Sequence, residues 1–281
     1  MLEPRQLTIV ALALIGCFGI PAAQAQDASD WDAQGHTASR LIAGSLIKTA
    51  DPPLLRAGVE IRLDPGWKTY WRDPGDSGVP PTLDFAGSEN VKAVTVLWPA
   101  PERFPDGAGG SSIGYKDHVI LPLRIAPEDA TKHSSVQLKL GYAICGNLCV
   151  PVEAKLKLAL AGDGAEEATI EKAEIRVPRR VALGPGAGLA ILSVHRQQGE
   201  PHDRVVVEVA APAGAPLSLF VEGPTPEWSL PLPEPAGGDA ATRRYSFELD
   251  GLPPDTQAKG ATLTFTAVSG GDAIEVPAHL D

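Results

Sequence analysis

Apolar and polar residues alternate with a period of two along residues 136–160, and the alternation is interrupted once, by Cys145-Gly146-Asn147-Leu148-Cys149. Upstream, Val136, Leu138, Leu140, Tyr142 and Ile144 alternate with Gln137, Lys139, Gly141, Ala143 and Cys145. Downstream, Val150, Val152, Ala154, Leu156, Leu158 and Leu160 alternate with Cys149, Pro151, Glu153, Lys155 and Lys157. Successive strand side chains point to opposite faces, so each run reads as a half-buried strand. The pair reads as a hairpin with a three-residue loop. Each cysteine falls on the polar parity, which puts both sulfurs on the face away from the core. Opposed residues in a hairpin have Cα atoms about 4.5–5.5 Å apart, within disulfide reach. This pattern implies an accessible dithiol that can open and close.

A purely structural staple is the first alternative. Closing a loop of about five residues contributes only about 2 kcal/mol in the chain-entropy account. A structural bridge in a β-sandwich usually joins the two sheets through the core, on the apolar parity. A metal site is the second alternative.

Abundant glycine and proline (29 and 27 residues), few aromatics and the near absence of long 3.6-period stretches point to an all-β chain rich in turns. Two immunoglobulin-like β-sandwich domains are expected after a cleaved signal peptide. The boundaries read as 1–25 for the signal peptide, 26–163 for the first domain, 164–187 for a linker and 188–281 for the second domain. In the first domain, strands are expected over 39–45, 54–63, 67–71, 91–98 and 118–125, besides the two cysteine strands. Asp64-Pro65-Gly66, Asp73-Pro74-Gly75-Asp76 and Pro80-Pro81 separate them as turns. The linker carries one short helix over 165–175, with Glu166 and Glu167 in its first turn and Pro178 beyond its end. Gly184-Pro185-Gly186 marks the boundary to a second sandwich of about six strands, among them 205–209, 217–221, 245–249 and 263–268. That unit has no cysteine and no catalytic cluster, which fits a spacer or a partner-docking module.

The leader has a positive residue, Arg5, an apolar stretch over 7–20 and a small-x-small site, Ala23-Gln24-Ala25, before Gln26. A rival is the lipoprotein-like box Leu14-Ile15-Gly16-Cys17, which would leave the chain anchored at Cys17, although Phe18-Gly19-Ile20 fits it poorly. Both readings place the mature chain outside the cytoplasm. No later segment approaches the roughly 20 apolar residues of a membrane helix. A net charge of −11 argues against nucleic acid and anionic membrane surfaces as partners.

Gly141-Tyr142-Ala143-Ile144-Cys145-Gly146-Asn147-Leu148-Cys149-Val150-Pro151-Val152-Glu153 resembles the active-site hairpin of the periplasmic N-terminal domain of the DsbD/ScsB thiol:disulfide interchange proteins. The resemblance extends to residues 65–75, Pro-Gly-Trp-Lys-Thr-Tyr-Trp-Arg-Asp-Pro-Gly, and to residues 98–104, Trp-Pro-Ala-Pro-Glu-Arg-Phe. The two-sandwich layout is more similar to the ScsB-like branch. The resemblance implies a protein-disulfide reductase without cofactor or metal. Its electrons would come from a membrane-embedded DsbD/CcdA-like thiol reductase or a thioredoxin-like protein. They would go to oxidised periplasmic thioredoxin-fold substrates. Because the chain carries no transmembrane bundle up to Asp281, that reductase is expected to be a separate protein, or else the sequence is a piece of a longer chain.

Site roles follow from the same resemblance. Cys149 would be the attacking or attacked sulfur and Cys145 the resolving one. The segment over 103–112 would be a cap loop with Phe104 as its lid, and Trp67, Tyr70 and Trp71 would wall the site. Lys139 and Lys155 share the cysteine parity and are candidates for favouring the thiolate by charge.

Other classes remain in view. Cu(I) is an alternative ligand because soft thiolates select it, yet the nearest histidines in sequence, His118 and His133, show no ligand spacing. No nucleophile elbow or paired carboxylates support a hydrolase. A non-catalytic binding module would keep the Cys145–Cys149 bond permanently oxidised.

Overall fold

The alternating runs pair into two sandwiches in series. The computed structural model describes residues 27–105 and 109–281. The first sandwich begins with β1 (Asp32–Gln34), β2 (Thr37–Ile47), β3 (Leu54–Leu63), β4 (Lys68–Gly75), β5 (Thr82–Asp84) and β6 (Val91–Val96). It continues with β7 (Glu102–Pro105), β8 (Ser111–Lys116), β9 (His118–Pro127), β10 (Ser134–Cys145) and β11 (Cys149–Leu160). One sheet runs β1-β2-β3-β9-β6 and the other β11-β10-β4-β8-β7, with β5 also paired to β10. Apolar positions of both sheets meet between them: Leu41, Val59 and Leu123 are buried with Leu138, Leu140, Ile144 and Leu156. Apart from one short helix, the described residues are therefore all-β, as expected. The leader and Cys17 lie outside the described residues.

Two features depart from the sequence expectation. Residues 103–112 were expected as a loop, but residues 103–105 lie in β7 and residues 111–112 in β8, and the two strands pair antiparallel, with Phe104 facing Ser112. In β8 only Ile113 and Tyr115 alternate as core residues, too short a run to read as a strand. Gly114 is nevertheless required there, because a Cβ would sit 1.9 Å from the Thr69 carbonyl oxygen of β4. The second departure is the helix, α1 (Glu167–Ile175), which packs against the first sandwich. Its Ile170 and Ala173 cover Ile42 and Ile120 on the outer face of the first sheet. Gly44 permits this approach, since a Cβ there would lie 2.9 Å from Ile170 Cδ1.

The second sandwich comprises β12 (Arg179–Arg180), β13 (Ala190–Gln197), β14 (Arg204–Ala210), β15 (Leu217–Glu222), β16 (Glu234–Gly238), β17 (Thr242–Glu248), β18 (Thr262–Ser269) and β19 (Asp272–His279). Its sheets run β12-β19-β18-β15 and β13-β14-β17-β16. Eight strands replace the expected six or so. The short β12 and β16 are exposed throughout, so they carry no burial pattern that sequence could reveal.

The first of these sheets is covered on both faces. Leu219, Val221, Leu263 and Phe265 fill its own sandwich, whereas Phe220 and Val268 join the core of the first sandwich. The Phe220 ring lies 5.9 Å from that of Trp71, centroid to centroid. Beside this contact, Arg72 donates to both carboxylate oxygens of Glu222 (2.8 and 2.7 Å) and to Glu275 (2.6 Å). Arg103 of β7 pairs with Glu234 of β16. The seam opens into a cleft of about 760 Å3, lined by Asp73, Asp76, Pro80, Glu222 and Trp228 among others.

Burial in this seam, with Glu222 nearby, pushes the Asp73 carboxyl up to about 6. The folded state thus favours the neutral acid. This group adds stability as pH falls through about 6 towards its unfolded value, and costs stability above that. Asp73→Asn is expected to raise the thermal midpoint at pH 7.5 and to give no such gain at pH 4, as checked by calorimetry at both pH values.

Candidate active site: a half-buried disulfide

The hairpin closes as its alternation demands. Cys145 and Cys149 are directly opposed across β10 and β11, their Cα atoms lie 4.1 Å apart, and a disulfide joins them. Gly146, Asn147 and Leu148 form the exposed loop, with Leu148 standing 72 % exposed beside Cys149. The loop rests on Trp67: a Cβ on Gly146 would lie 3.1 Å from Trp67 Cε2. Trp67 in turn stacks on His36 at 4.2 Å, and His36 Nδ1 lies 2.8 Å from Asp64 Oδ2.

The two sulfurs are not equivalent. Cys149 is exposed, while Cys145 is only 2 % exposed. Parity correctly sets Cys145 on the outer face, but that face is covered at this point by the neighbouring strand. In β4, Thr69 pairs with Ile144 and Lys68 with Cys145, which lays Tyr70 beside Ala143. Tyr70, Ala143 and Cys145 form a small buried cluster of their own. The Tyr70 Oη lies 2.8 Å from Cys145 Sγ and 3.3 Å from Cys149 Sγ. Disulfide sulfurs carry no hydrogen, so the phenol is the donor. Burial pushes the Tyr70 hydroxyl pKa up, which keeps that proton in place. Gly78 closes over the ring, since a Cβ there would come 2.8 Å from Tyr70 Cδ1.

The structure brings only some of the expected site residues together. Tyr70 touches the sulfurs and Trp67 supports the loop. Trp71 is fully buried against Phe220, in the core between the sandwiches. Phe104 is buried on β7, three strands from β10, with the Lys68 and Lys116 ammonium groups 5.4 and 4.4 Å from its ring centroid. The aromatic residue on the sulfurs is thus Tyr70. Residues 106–108 of the expected cap segment lie outside the described residues.

Lys139 and Lys155 are exposed and opposed to each other, six positions along their strands from the cysteines. At about 3.3 Å per residue that is about 20 Å. They are not brought to the dithiol; the lysine opposite Cys145 is Lys68. Sequence reading missed it because the β4–β10 register joins segments far apart in the chain. His118 hydrogen-bonds Glu60 at 3.0 Å in the other sheet. Among the described residues no group of three or more His, Cys, Asp and Glu is placed to hold a metal ion.

The β-sandwich thus carries a disulfide-bonded cysteine pair on one hairpin, one sulfur exposed and the other held by a tyrosine, an arrangement that can support thiol–disulfide exchange. Residues 49–161 match the family of the N-terminal domain of the thiol:disulfide interchange protein DsbD. The match begins after β1 and β2, which nevertheless complete the first sheet. The fold is similar to the crystal structure of the N-terminal periplasmic domain of ScsB from Proteus mirabilis, with a TM-score of 0.69 and 22% identity. That likeness covers 90% of this chain and 98% of the other. No curated protein matches the chain. Among the described residues, no helix is long and apolar enough to cross a membrane.

Tyr70→Phe removes the donor without changing the ring. Stability should fall by no more than about 1.5 kcal/mol. Reduction of the disulfide by dithiothreitol should slow by about tenfold, because a hydrogen bond to a charged sulfur is worth about 1.5–3 kcal/mol. Stopped-flow rates of wild type and variant check this, and equal rates would show that the hydroxyl touches the sulfurs without assisting them.

Proposed function

We propose that the chain is a periplasmic thiol:disulfide interchange protein that passes electrons from a membrane reductase to oxidised periplasmic proteins through Cys145 and Cys149. The observation that carries this reading is the unequal exposure of the sulfurs: a partner can reach Cys149, while Cys145 is sheltered under a hydrogen-bond donor. Exchange chemistry needs this division, with one sulfur to be attacked and one to leave and later resolve.

In the loading step, a thiolate of the donor attacks Cys149 Sγ. The Cys145–Cys149 bond breaks, its electron pair passes to Cys145, and a mixed disulfide forms through Cys149. The second thiolate of the donor then attacks its own sulfur in that mixed disulfide and releases Cys149 as a thiolate. The donor leaves oxidised. Unloading runs in the same geometry. The Cys149 thiolate attacks a client disulfide, and Cys145 then attacks Cys149 Sγ to free the reduced client. Two electrons move in each half, and the thiolates take their protons from water.

The donor is read as a DsbD/CcdA-like membrane protein or a thioredoxin-like protein, and the clients as thioredoxin-fold proteins. Residues 26–163 are read as the redox domain, following a leader over 1–25. Residues 188–281 are read as a second domain that steadies the first. Its support is physical: Arg72 and Arg103, next to the site strands' aromatic residues, both bind carboxylates of the second sandwich.

Cys145→Ser should trap a mixed disulfide with an oxidised thioredoxin-fold protein through Cys149, whereas Cys149→Ser should trap little. Non-reducing gels and mass analysis read the adduct, and equal trapping by both variants would overturn the assignment of roles. For the wild-type pair, equilibration in glutathione or dithiothreitol buffers should give a reduction potential between about −180 and −270 mV, the range of exchange-active proteins. A value below about −300 mV would indicate a structural bridge instead.

A further inference from the structure

Cys149, Cys145, Lys68 and Lys116 stand in one row across four neighbouring strands, β11, β10, β4 and β8. Directly opposed residues in antiparallel strands project to the same face, with Cβ atoms about 4.5–5.5 Å apart. Lys68 is therefore the nearest cross-strand neighbour of the buried sulfur on the side away from Cys149. With the disulfide formed, its ammonium lies 5.4 Å from the Phe104 ring centroid, and that of Lys116 lies 4.4 Å from the same centroid.

We propose that Lys68 is a positioning residue for disulfide exchange, moving from Phe104 towards Cys145 to stabilise the thiolate that departs when Cys149 is attacked. The proposal rests on the exchange reading given above. In that step the incoming thiolate bonds to Cys149 Sγ, the Cys145–Cys149 bond breaks, and the electron pair and negative charge stay on Cys145. That charge appears on a sulfur with almost no exposed surface, where an uncompensated anion is costly. Tyr70 Oη supplies one hydrogen bond, but no charge. Lysine is suited to supply the charge, being a compact cation on a flexible four-carbon stem. Phe104 is suited to hold it in reserve, because the negative ring face attracts an ammonium. Two ammonium groups sharing one ring repel each other, and the shift of Lys68 to a thiolate would relieve that repulsion.

The other charged groups around the row leave this role to Lys68. On β8, Lys116 is one strand further from the sulfur, and its ammonium is 3.8 Å from Glu102 Oε2 of β7. On β11, Glu153 shares the outer face four positions from Cys149, about 13 Å along the strand. On β10, Lys139 is six positions from Cys145. His36 and Asp64 flank Trp67 beneath the loop.

The test is a pH titration of the reduced full chain labelled with 13C at the cysteine Cβ, read by NMR for Cys145. This reading needs no reagent access to the buried sulfur and no partner. Lys68→Met should raise the Cys145 midpoint by about one unit, as expected for loss of a nearby opposite charge. Lys68→Arg should restore most of that shift, and Lys139→Met should leave the midpoint unchanged. An unmoved midpoint in Lys68→Met, an equal shift in Lys139→Met, or no rescue by arginine would overturn the proposal. Because the titration involves no exchange, a protein that fails to trap partners but keeps a Lys68-dependent midpoint would overturn the exchange reading, and with it the role in exchange, and leave only the coupling of Lys68 to the Cys145 thiolate.

Discussion

The short ladder between β10 and β4 is the contact on which the site depends. Only two residue pairs make it, Ile144 with Thr69 and Cys145 with Lys68, and the Thr69 hydroxyl ties it further by donating to the Ala143 carbonyl at 2.9 Å. Without this register the hairpin would still present two cysteines on its outer face. With it, Tyr70 comes under one sulfur and Lys68 comes opposite. The β4–β8 register depends in turn on Gly114, where only hydrogen fits against the Thr69 carbonyl. A chain of close backbone approaches thus converts an ordinary hairpin disulfide into an asymmetric one.

That asymmetry has a chemical meaning. A disulfide with two equally open sulfurs can be attacked at either, and neither product thiolate is favoured. Here Cys149 is the exposed sulfur and Cys145 the buried one, with the Tyr70 hydroxyl against it. Burial favours the hydrogen bond as well as imposing the need for it, because the low local dielectric strengthens polar contacts and penalises unpaired charge. The domain-family match over 49–161 and this geometry point to the same chemistry from independent grounds.

The second sandwich carries no cysteine, yet it is fastened to the strands that shape the site. Trp71 follows Tyr70 in β4 and packs on Phe220, Arg72 follows it and binds Glu222 and Glu275, and Arg103 precedes Phe104 and binds Glu234. The Arg72 ion pairs are only partly exposed and include a two-pronged arginine–carboxylate contact, the kind that constrains geometry better than a single surface pair. The seam also places Asp73 in an environment that disfavours its charge. Consecutive residues of one strand therefore serve the dithiol, through Tyr70, and the domain contact, through Trp71 and Arg72.

Much of this protein was legible in its residues because β-structure writes its burial in a period of two. Residues 136–160 determined the hairpin, its three-residue loop, the opposition of the cysteines and the core identity of Val136, Leu138, Leu140, Tyr142 and Ile144. The segment 65–75 carried the family resemblance and the tyrosine. Local pattern could not say that Cys145 is buried, that Tyr70 alone of the candidate aromatics reaches the sulfurs, or that Lys68 rather than Lys139 and Lys155 stands opposite Cys145. Parity states which face a side chain occupies, whereas cover on that face comes from whichever strand packs alongside. Arms such as β7–β8 and edge strands such as β12 and β16 escaped for a related reason: their residues bury little or rely on glycine, so no apolar rhythm marks them. The sequence by itself determined strands, faces and the opposed cysteine pair; only the tertiary structure decided register between distant strands, and register is what makes the two sulfurs unequal.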